Sequence, residues 1–217
     1  MKKYILFDLD GTLTDPQEGI VNSVKYSLEK LGIADYDEKT LPSFIGAPLS
    51  QAYKEHFGFS EEKATEAIAL FREYYNPKGI FENRVYRGVE NLLSRLCKNG
   101  YALAVATLKP TPASNRVLEY FGLKKYFTAV CGSDLKRTDE VKADIIKNAL
   151  CALEVNNKSL AVMVGDRKHD FIGAQQNGID CICVLYGHGS REELENAGAK
   201  MLAETPEDAY GIIESLI

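Results

Sequence analysis

Apolar residues gather in short runs that recur along the chain and end at turn-forming residues. The runs lie at Tyr4–Leu9, Tyr101–Ala106, Phe127–Cys131, Leu160–Gly165 and Cys181–Leu185, with a weaker one near Met201. Continuous runs of this length are typical of strands buried on both faces, as in a parallel sheet covered by helices. Between them, amphipathic spacing predicts helices at Val89–Cys97, Pro112–Phe121, Val141–Leu150, Phe171–Asn177, Arg191–Ala197 and Pro206–Leu216. This alternation predicts an α/β fold with a Rossmann-like, doubly wound parallel sheet.

One long segment departs from the alternation. From Pro16 to about Asn83 no strand pattern occurs, and the spacing predicts helices at Gln17–Leu31, Leu49–Phe57 and Glu61–Tyr75 instead. We therefore expect a catalytic core made of residues 1–15 and 84–217, with an inserted helical cap over residues 16–83. A core of about 150 residues is a typical single domain, whereas about 68 helical residues would be only marginally stable alone.

Composition excludes several classes of protein. The chain has 217 residues, of which 45% are hydrophobic and 26% charged, the ordinary mixture of a soluble globular protein. With 26 basic and 31 acidic residues and no basic run, it lacks the charge pattern of a protein that binds a nucleic acid polymer. No stretch approaches the ~18 apolar residues of a membrane span. The five cysteines show no Cys-x-x-Cys spacing, so we expect reduced thiols in a cytoplasmic protein.

Polar residues follow three of the predicted strands at the point where each ends. Asp8 and Asp10 follow the first strand, Thr107 closes the second, and Asp166 ends the fourth. In an open α/β sheet the carboxyl ends of the strands form the ligand-binding edge, so these groups should meet. Carboxylates held together stay ionised beside a cation, and Mg²⁺ prefers such oxygen ligands. Gly11 allows a sharp turn and a close backbone approach to an anion. The pattern predicts a Mg²⁺ site suited to phosphoryl transfer.

The residues after the first predicted strand resemble the signature of a known family. Phe7–Asp15 reads FDLDGTLTD and resembles the signature of the haloacid dehalogenase superfamily, DxDGT[LV]xD. Thr107, Lys142 at the start of a later helix, and the segment Gly165–Asp170 follow in the family's order.

The helical insert is similar to the small cap of the phosphoglycolate-phosphatase-like branch of that superfamily. Gly46–Leu49 resembles the cap loop of this branch, and Tyr86–Val89 resembles the return of the chain to the core.

The resemblance implies catalytic roles for three residues. Asp8 would attack phosphorus and form an aspartyl-phosphate. Asp10 would protonate the leaving oxygen and then deprotonate the water that hydrolyses the intermediate. Lys142 would neutralise the charge on the nucleophile and the phosphoryl oxygens. Lys136 and Arg137 are the nearby alternatives to Lys142, which we favour because Lys-x-Asp-Ile-Ile at a helix start fits the family best.

The resemblance also implies ligands for the metal and the substrate. Mg²⁺ would be held by Asp8, by the backbone carbonyl of Asp10 and by Asp166, while Asp170 would orient Lys142 or a metal-bound water. The substrate-binding candidates are Gly11, Thr107, the N–H of Leu108, Lys109 and, in the cap, Gly46. Lys109 either contacts substrate or is a solvated loop charge.

The segment Tyr186–Ser190 follows the fifth predicted strand and is rich in glycine. We expect it to pack against the cap rather than to bind phosphate.

The resulting hypothesis is a Mg²⁺-dependent phosphatase that hydrolyses a small phosphate monoester through an aspartyl-phosphate. The substrate, a small phosphorylated metabolite, would be phosphoglycolate-like or a nucleoside 5′-monophosphate. Asp10 separates this hypothesis from the dehalogenases and phosphonate hydrolases of the superfamily, which lack this second acid. The alternatives are a β-phosphoglucomutase-like phosphosugar mutase, whose cap motif we do not find, a pyrophosphatase, or a non-catalytic module. Retention of every reactive position argues against the last. The sequence leaves both monomer and homodimer open.

Overall fold

The computed structural model describes residues 3–134 and 140–216. Within these ranges the chain forms eight strands: β1 (Tyr4–Phe7), β2 (Thr14–Asp15), β3 (Arg84–Val85), β4 (Ala102–Pro110), β5 (Ala129–Ser133), β6 (Ala161–Gly165), β7 (Asp180–Val184) and β8 (Met201–Ala203). The α-helices of the same ranges are α1 (Gln17–Lys30), α2 (Leu49–Phe57), α3 (Glu61–Tyr75), α4 (Val89–Lys98), α5 (Thr111–Tyr120), α6 (Lys142–Ala152), α7 (Lys168–Asn177), α8 (Arg191–Asn196) and α9 (Pro206–Ser215).

Six of the strands form one sheet in the order β5-β4-β1-β6-β7-β8, with every neighbouring pair parallel. The first strand of the chain is therefore central, between β4 and β6. Phe7, its last residue, lies opposite Val105 and Val164. The predicted α/β fold is confirmed, and the residues that follow β1, β4 and β6 share one edge of the sheet.

Both faces of this sheet are buried, as its continuous apolar strands predict. Leu6 and Met163 lie on one face, in a hydrophobic cluster with Ile145 of α6 and Ala174 of α7. Successive strand residues point to opposite faces, and the alternate residues Phe7 and Val164 are also fully buried. The sheet is thus a rigid support for the loops at its edge.

Contacts divide the chain into two compact units. The first comprises the residues up to Thr14 and from Val85 onwards, and the second spans Asp15–Arg84. The chain passes between the units at β2 and β3, which pair as a separate two-stranded sheet.

The second unit is helical, with α1 and α2 both packed on α3. Its core includes Leu28, Leu41, Phe44 and Tyr53, all almost completely buried. Within the described ranges, every helix is too short or too polar to cross a membrane.

Candidate active site

A tight turn follows β1 and positions Asp8 and Asp10. The N–H of Asp8 donates to Val164 O at 2.9 Å, which extends the pairing with β6 by one residue. Three successive N–H groups, those of residues 12–14, then donate to Leu9 O, and Gly11 N donates to Thr14 O at 2.7 Å. Gly11 has φ +90, a backbone conformation that favours glycine. The chain therefore reverses immediately after Asp10.

The carboxylate of Asp166, at the end of β6, lies directly against this turn. A Cβ atom on Gly11 would collide with Asp166 Oδ2, so no larger residue fits there. Thr12 Oγ1 donates to Asp166 Oδ1 at 3.2 Å. Both Thr12 and Asp166 are fully buried. The turn after β1 and the end of β6 thus form one packed unit.

Lys142, the first residue of α6, places its ammonium between two carboxylates. Its Nζ lies 2.8 Å from Asp8 Oδ1 and 2.6 Å from Asp170 Oδ1. Burial disfavours the charged amine, but Asp170 and Asp8 outweigh that effect and raise the pKa of Lys142 above its ordinary value.

Asp170 is held from two further sides. Its Oδ2 accepts the N–H of Arg167 at 3.0 Å, at the start of α7. A Cβ atom on Gly165 would collide with the Asp170 side chain, so β6 also packs directly against it.

Carboxylate oxygens of Asp8, Asp166 and Asp170 all lie within 4.8 Å of one another. Burial, with the charges of Asp170 and Asp8, raises the pKa of Asp166 to about 8. Burial also raises the pKa of Asp170 to about 6, even though Lys142 opposes the shift. The ionised cluster is therefore unfavourable without a further positive charge.

The donor set fits a divalent metal ion. Three carboxylates and the Lys142 ammonium leave two negative charges, which a divalent cation would neutralise. The buried Oδ1 atoms of Asp8 and Asp170 face that ammonium at 2.8 and 2.6 Å. All available donors are oxygens, the ligands that hard divalent cations prefer.

The end of β4 contributes a second set of groups. The register between β4 and β5 shifts between Ala106 and Pro110, so residues 107–109 leave the regular ladder. Thr107 is almost fully buried, and its Oγ1 accepts the N–H of Lys109 at 3.2 Å. The Leu108 side chain packs against the hydrophobic cluster, and its carbonyl accepts Ser133 Oγ at 2.8 Å.

Lys109 forms a buried ion pair with Asp10. The distance from Nζ to Asp10 Oδ2 is 2.7 Å, and the two side chains are 6% and 13% exposed. Lys109 is thus no solvated loop charge. The other Asp10 oxygen, Oδ1, is buried and has no hydrogen-bond partner among the described residues. The carboxylate of Asp10 therefore faces Lys109, outside the cluster of three.

The remaining predicted positions lie elsewhere. Gly46 belongs to the unit Asp15–Arg84 and has φ +75 in the short connection before α2. Lys136 and Arg137 lie outside the described residues.

Sequence reasoning assigned no role at the site to the segment after β7, yet this segment contacts it. His188 N donates to Asp166 Oδ2 at 2.8 Å, and the Tyr186 hydroxyl donates to Thr12 O at 3.0 Å. The available signal was Gly187 and Gly189 at alternate positions directly after a buried strand, a pattern that marks close backbone approach.

Comparison with known proteins agrees with this geometry. A model of the family described as haloacid dehalogenase-like hydrolase matches residues 5–184. A 5′-nucleotidase of Pseudomonas aeruginosa is 43% identical over 194 residues, which cover 88% of this chain and 86% of that protein. The tyrosine-protein kinase PtkA of Mycobacterium tuberculosis is 34% identical over 198 residues, 91% of this chain and 67% of the kinase.

Solved structures give the same result. The crystal structure of a predicted phosphatase from Clostridium acetobutylicum superposes with a TM-score of 0.92 at 46% identity, over 99% of both chains. The resemblance that the sequence carries is confirmed. The chain belongs to the haloacid dehalogenase-like hydrolase family, and it is a phosphatase.

Proposed function

We propose that this phosphatase hydrolyses a nucleoside 5′-monophosphate or a similarly small phosphate monoester, with Mg²⁺ bound at the cluster formed by Asp8, Asp166 and Asp170. The observation that carries the proposal is the buried cluster of these three carboxylates beside Lys142, at the edge where β1 and β6 end. The choice of a nucleotide rests on the 43% identical 5′-nucleotidase. Phosphoglycolate and pyrophosphate are the other substrates to be compared.

Magnesium suits this site because the donors are all oxygens and the local charge is negative by two. Asp8 and Asp166 would hold the ion, with the backbone carbonyl of Asp10 or the carboxylate of Asp170 completing the protein ligands. When bound, it would neutralise charge on the phosphoryl group.

Asp8 is the nucleophile in this proposal. A carboxylate oxygen of Asp8 forms a bond to phosphorus while the bond from phosphorus to the leaving oxygen breaks. Lys142 supports this step because its ammonium, 2.8 Å from Asp8 Oδ1, offsets the negative charge gathered there. Asp170 fixes Lys142 from the other side, at 2.6 Å.

Asp10 moves the protons. As a carboxylic acid it gives its proton to the leaving oxygen, which departs as an alcohol. As a carboxylate it then takes a proton from water while that water attacks phosphorus, and the bond to Asp8 breaks to release phosphate. The tight turn at Gly11 directly follows Asp10, and Lys109 Nζ holds the Asp10 carboxylate at 2.7 Å.

Thr107 and Leu108 supply donors for the phosphoryl oxygens. Thr107 Oγ1 accepts the N–H of Lys109, which leaves the hydroxyl hydrogen to donate to a ligand. The N–H of Leu108 belongs to the irregular end of β4, between Ala106 and Pro110. Donors of this kind stabilise the transition state where negative charge develops.

We infer that the helical unit Asp15–Arg84 is the cap and that Gly46 takes part in substrate binding. Its support is the resemblance of Gly46–Leu49 to the cap loop of the phosphoglycolate-phosphatase-like branch.

The test is phosphate release with and without Mg²⁺ across nucleoside 5′-monophosphates, phosphoglycolate, pyrophosphate and glucose 1-phosphate, ranked by kcat/KM. Asp8→Asn and Asp10→Asn should each abolish Mg²⁺-dependent release, whereas the exposed control Asp35→Asn should not change it. Near-normal turnover in either active-site variant would overturn the mechanism. Isomerised sugar phosphate without released phosphate would favour a mutase instead.

A further inference from the structure

The segment between β7 and α8 lies against Asp166, one of the three clustered carboxylates. We call Tyr186–Ser190 the 186–190 loop. It begins two residues after Val184, the buried end of β7, and finishes at Ser190, whose Oγ accepts Glu193 N at 3.0 Å at the start of α8. Both ends of this short loop are therefore anchored in regular structure.

Two glycines let the loop backbone touch the site. A Cβ atom on Gly187 would collide with the Gly11 carbonyl and with Asp166 Cβ. A Cβ atom on Gly189 would collide with the Asp166 carbonyl. The loop thus lies against the turn after β1 and against Asp166 with no space between them.

Hydrogen bonds join the loop, the turn and the carboxylate in a chain. The Tyr186 hydroxyl donates to Thr12 O at 3.0 Å, and Thr12 Oγ1 donates to Asp166 Oδ1 at 3.2 Å. The backbone N–H of His188 donates to Asp166 Oδ2 at 2.8 Å. Each oxygen of Asp166 therefore accepts a bond, one from the loop itself and one from a residue that the loop holds.

The Tyr186 side chain is well placed to act as a fixed donor. Burial raises the pKa of Tyr186 far above its ordinary value, so its hydroxyl keeps its proton. Its ring packs edge-to-face against Tyr86, with ring centroids 5.0 Å apart. The N–H of Tyr86 in turn donates to Leu13 O at 3.2 Å, next to the carbonyl that Tyr186 binds.

We propose that Tyr186 is a positioning residue of the metal site, whose hydroxyl fixes the Thr12 peptide and, through the Thr12 side chain, aims the Asp166 carboxylate. The role rests on the proposed metal-dependent phosphatase. Groups that orient a metal ligand change metal affinity without touching the substrate. Loss of the Tyr186 hydroxyl leaves every proposed ligand and catalytic group in place, yet it frees the Thr12 peptide and so loosens one of the two hydrogen bonds that orient Asp166.

The experiment measures the Kd of Mg²⁺ for the purified full chain by calorimetry. Tyr186→Phe should weaken Mg²⁺ binding about tenfold. At saturating Mg²⁺ its kcat and its KM for substrate should approach those of the parent. Tyr101→Phe is the matched control. It removes a hydrogen bond of 2.8 Å from a tyrosine hydroxyl to Glu214, remote from the carboxylate cluster, and should leave the Kd unchanged.

A second variant tests the path through Thr12. Thr12→Val keeps the buried shape and removes the bond to Asp166, so it should weaken Mg²⁺ binding in the same direction. The double variant Tyr186→Phe/Thr12→Val should bind Mg²⁺ about as weakly as whichever single variant has the higher Kd, because both changes act on one chain of contacts.

A parental Kd in Tyr186→Phe overturns the positioning role and leaves the proposed phosphatase intact. Fully additive losses in the double variant overturn the path through Thr12. Failure of the parent to bind Mg²⁺ overturns both proposals together.

Discussion

Lys109 and Asp10 form an ion pair inside the protein, with Nζ 2.7 Å from Oδ2 and both side chains largely shielded from solvent. The partners are 99 residues apart in the chain and meet because β4 lies beside β1 in the sheet. The pair fixes a carboxylate that stands two residues after the proposed nucleophile.

Replacement of Lys109 should separate catalysis from metal binding. Lys109→Met removes the group that orients Asp10, so kcat should fall by about 10²-fold, the scale of general acid–base catalysis. The Mg²⁺ affinity should change little, because the Asp10 carboxylate lies outside the cluster of three. Steady-state kinetics and calorimetry on the same preparation measure both effects, and lost metal binding with unchanged kcat would contradict the expectation.

The same substitution should lower stability, because it leaves a buried carboxylate without its partner. The free energy of unfolding in urea should fall by about 3 kcal/mol. Lys124→Met breaks an exposed pair with Glu119 and should cost at most about 1 kcal/mol. Adding Asp10→Asn to Lys109→Met should recover part of the loss, because the carboxylate that lost its partner is then neutral.

Gly11→Ala should disrupt the metal site through a single methyl group. The new Cβ would collide with Asp166 Oδ2 in addition to straining a backbone at φ +90. Gly100→Ala is the control, because Gly100 has φ +80 but nothing within 4 Å of an added Cβ. Both variants should lose about 1 kcal/mol or more from backbone strain, and only Gly11→Ala should lose Mg²⁺ binding in calorimetry. Equal metal affinity in the two variants would show that the close contact is unimportant.

Lys142→Met should reduce kcat far more than it changes KM. Its ammonium faces Asp8, so its loss removes charge stabilisation at the reacting group and should lower kcat by about 10²–10³-fold. Lys147→Met changes an exposed lysine of the same helix and serves as the control. A proportional rise in KM with unchanged kcat would instead indicate a role in substrate binding alone.

A buried hydrogen bond in the unit Asp15–Arg84 offers a test of stability there. Ser27 Oγ donates to Val24 O at 2.7 Å, so the hydrogen bond of 2.5 Å between Ser27 and Tyr53 uses the tyrosine hydroxyl as donor. Ser27→Ala should lower the free energy of unfolding by about 1–3 kcal/mol, because it leaves the buried Tyr53 hydroxyl unpaired. Adding Tyr53→Phe should restore much of the loss in urea unfolding, and a double variant less stable than Ser27→Ala would contradict this account.

The order of strands and helices follows from sequence pattern, and so does the meeting of Asp8, Thr107 and Asp166 at one edge. Parallel strands bring their carboxyl ends together regardless of side-chain detail. The end of β4 was less predictable. The apolar run stops at Ala106, yet the strand continues to Pro110, because the register with β5 shifts and Pro110 lies opposite Ser133. Such a shift depends on the partner strand and leaves no local pattern.

The burial of Lys109 and the contacts of Tyr186 could not be predicted from the sequence either. A lysine near the end of a strand is ordinarily exposed, and the charge of Asp10 helps to make the burial of Lys109 tolerable. Tyr186 reaches the turn after β1 across 174 positions, a separation that no local spacing encodes.

Three glycines border the two buried carboxylates: Gly11 and Gly187 face Asp166, and Gly165 faces Asp170. At each position even a methyl group would overlap its neighbour. Redesign of this enzyme for a different substrate therefore cannot use these three glycine positions, because each added side chain would displace a carboxylate. Substitutions that preserve the chemistry have to be made at residues that do not contact the carboxylates.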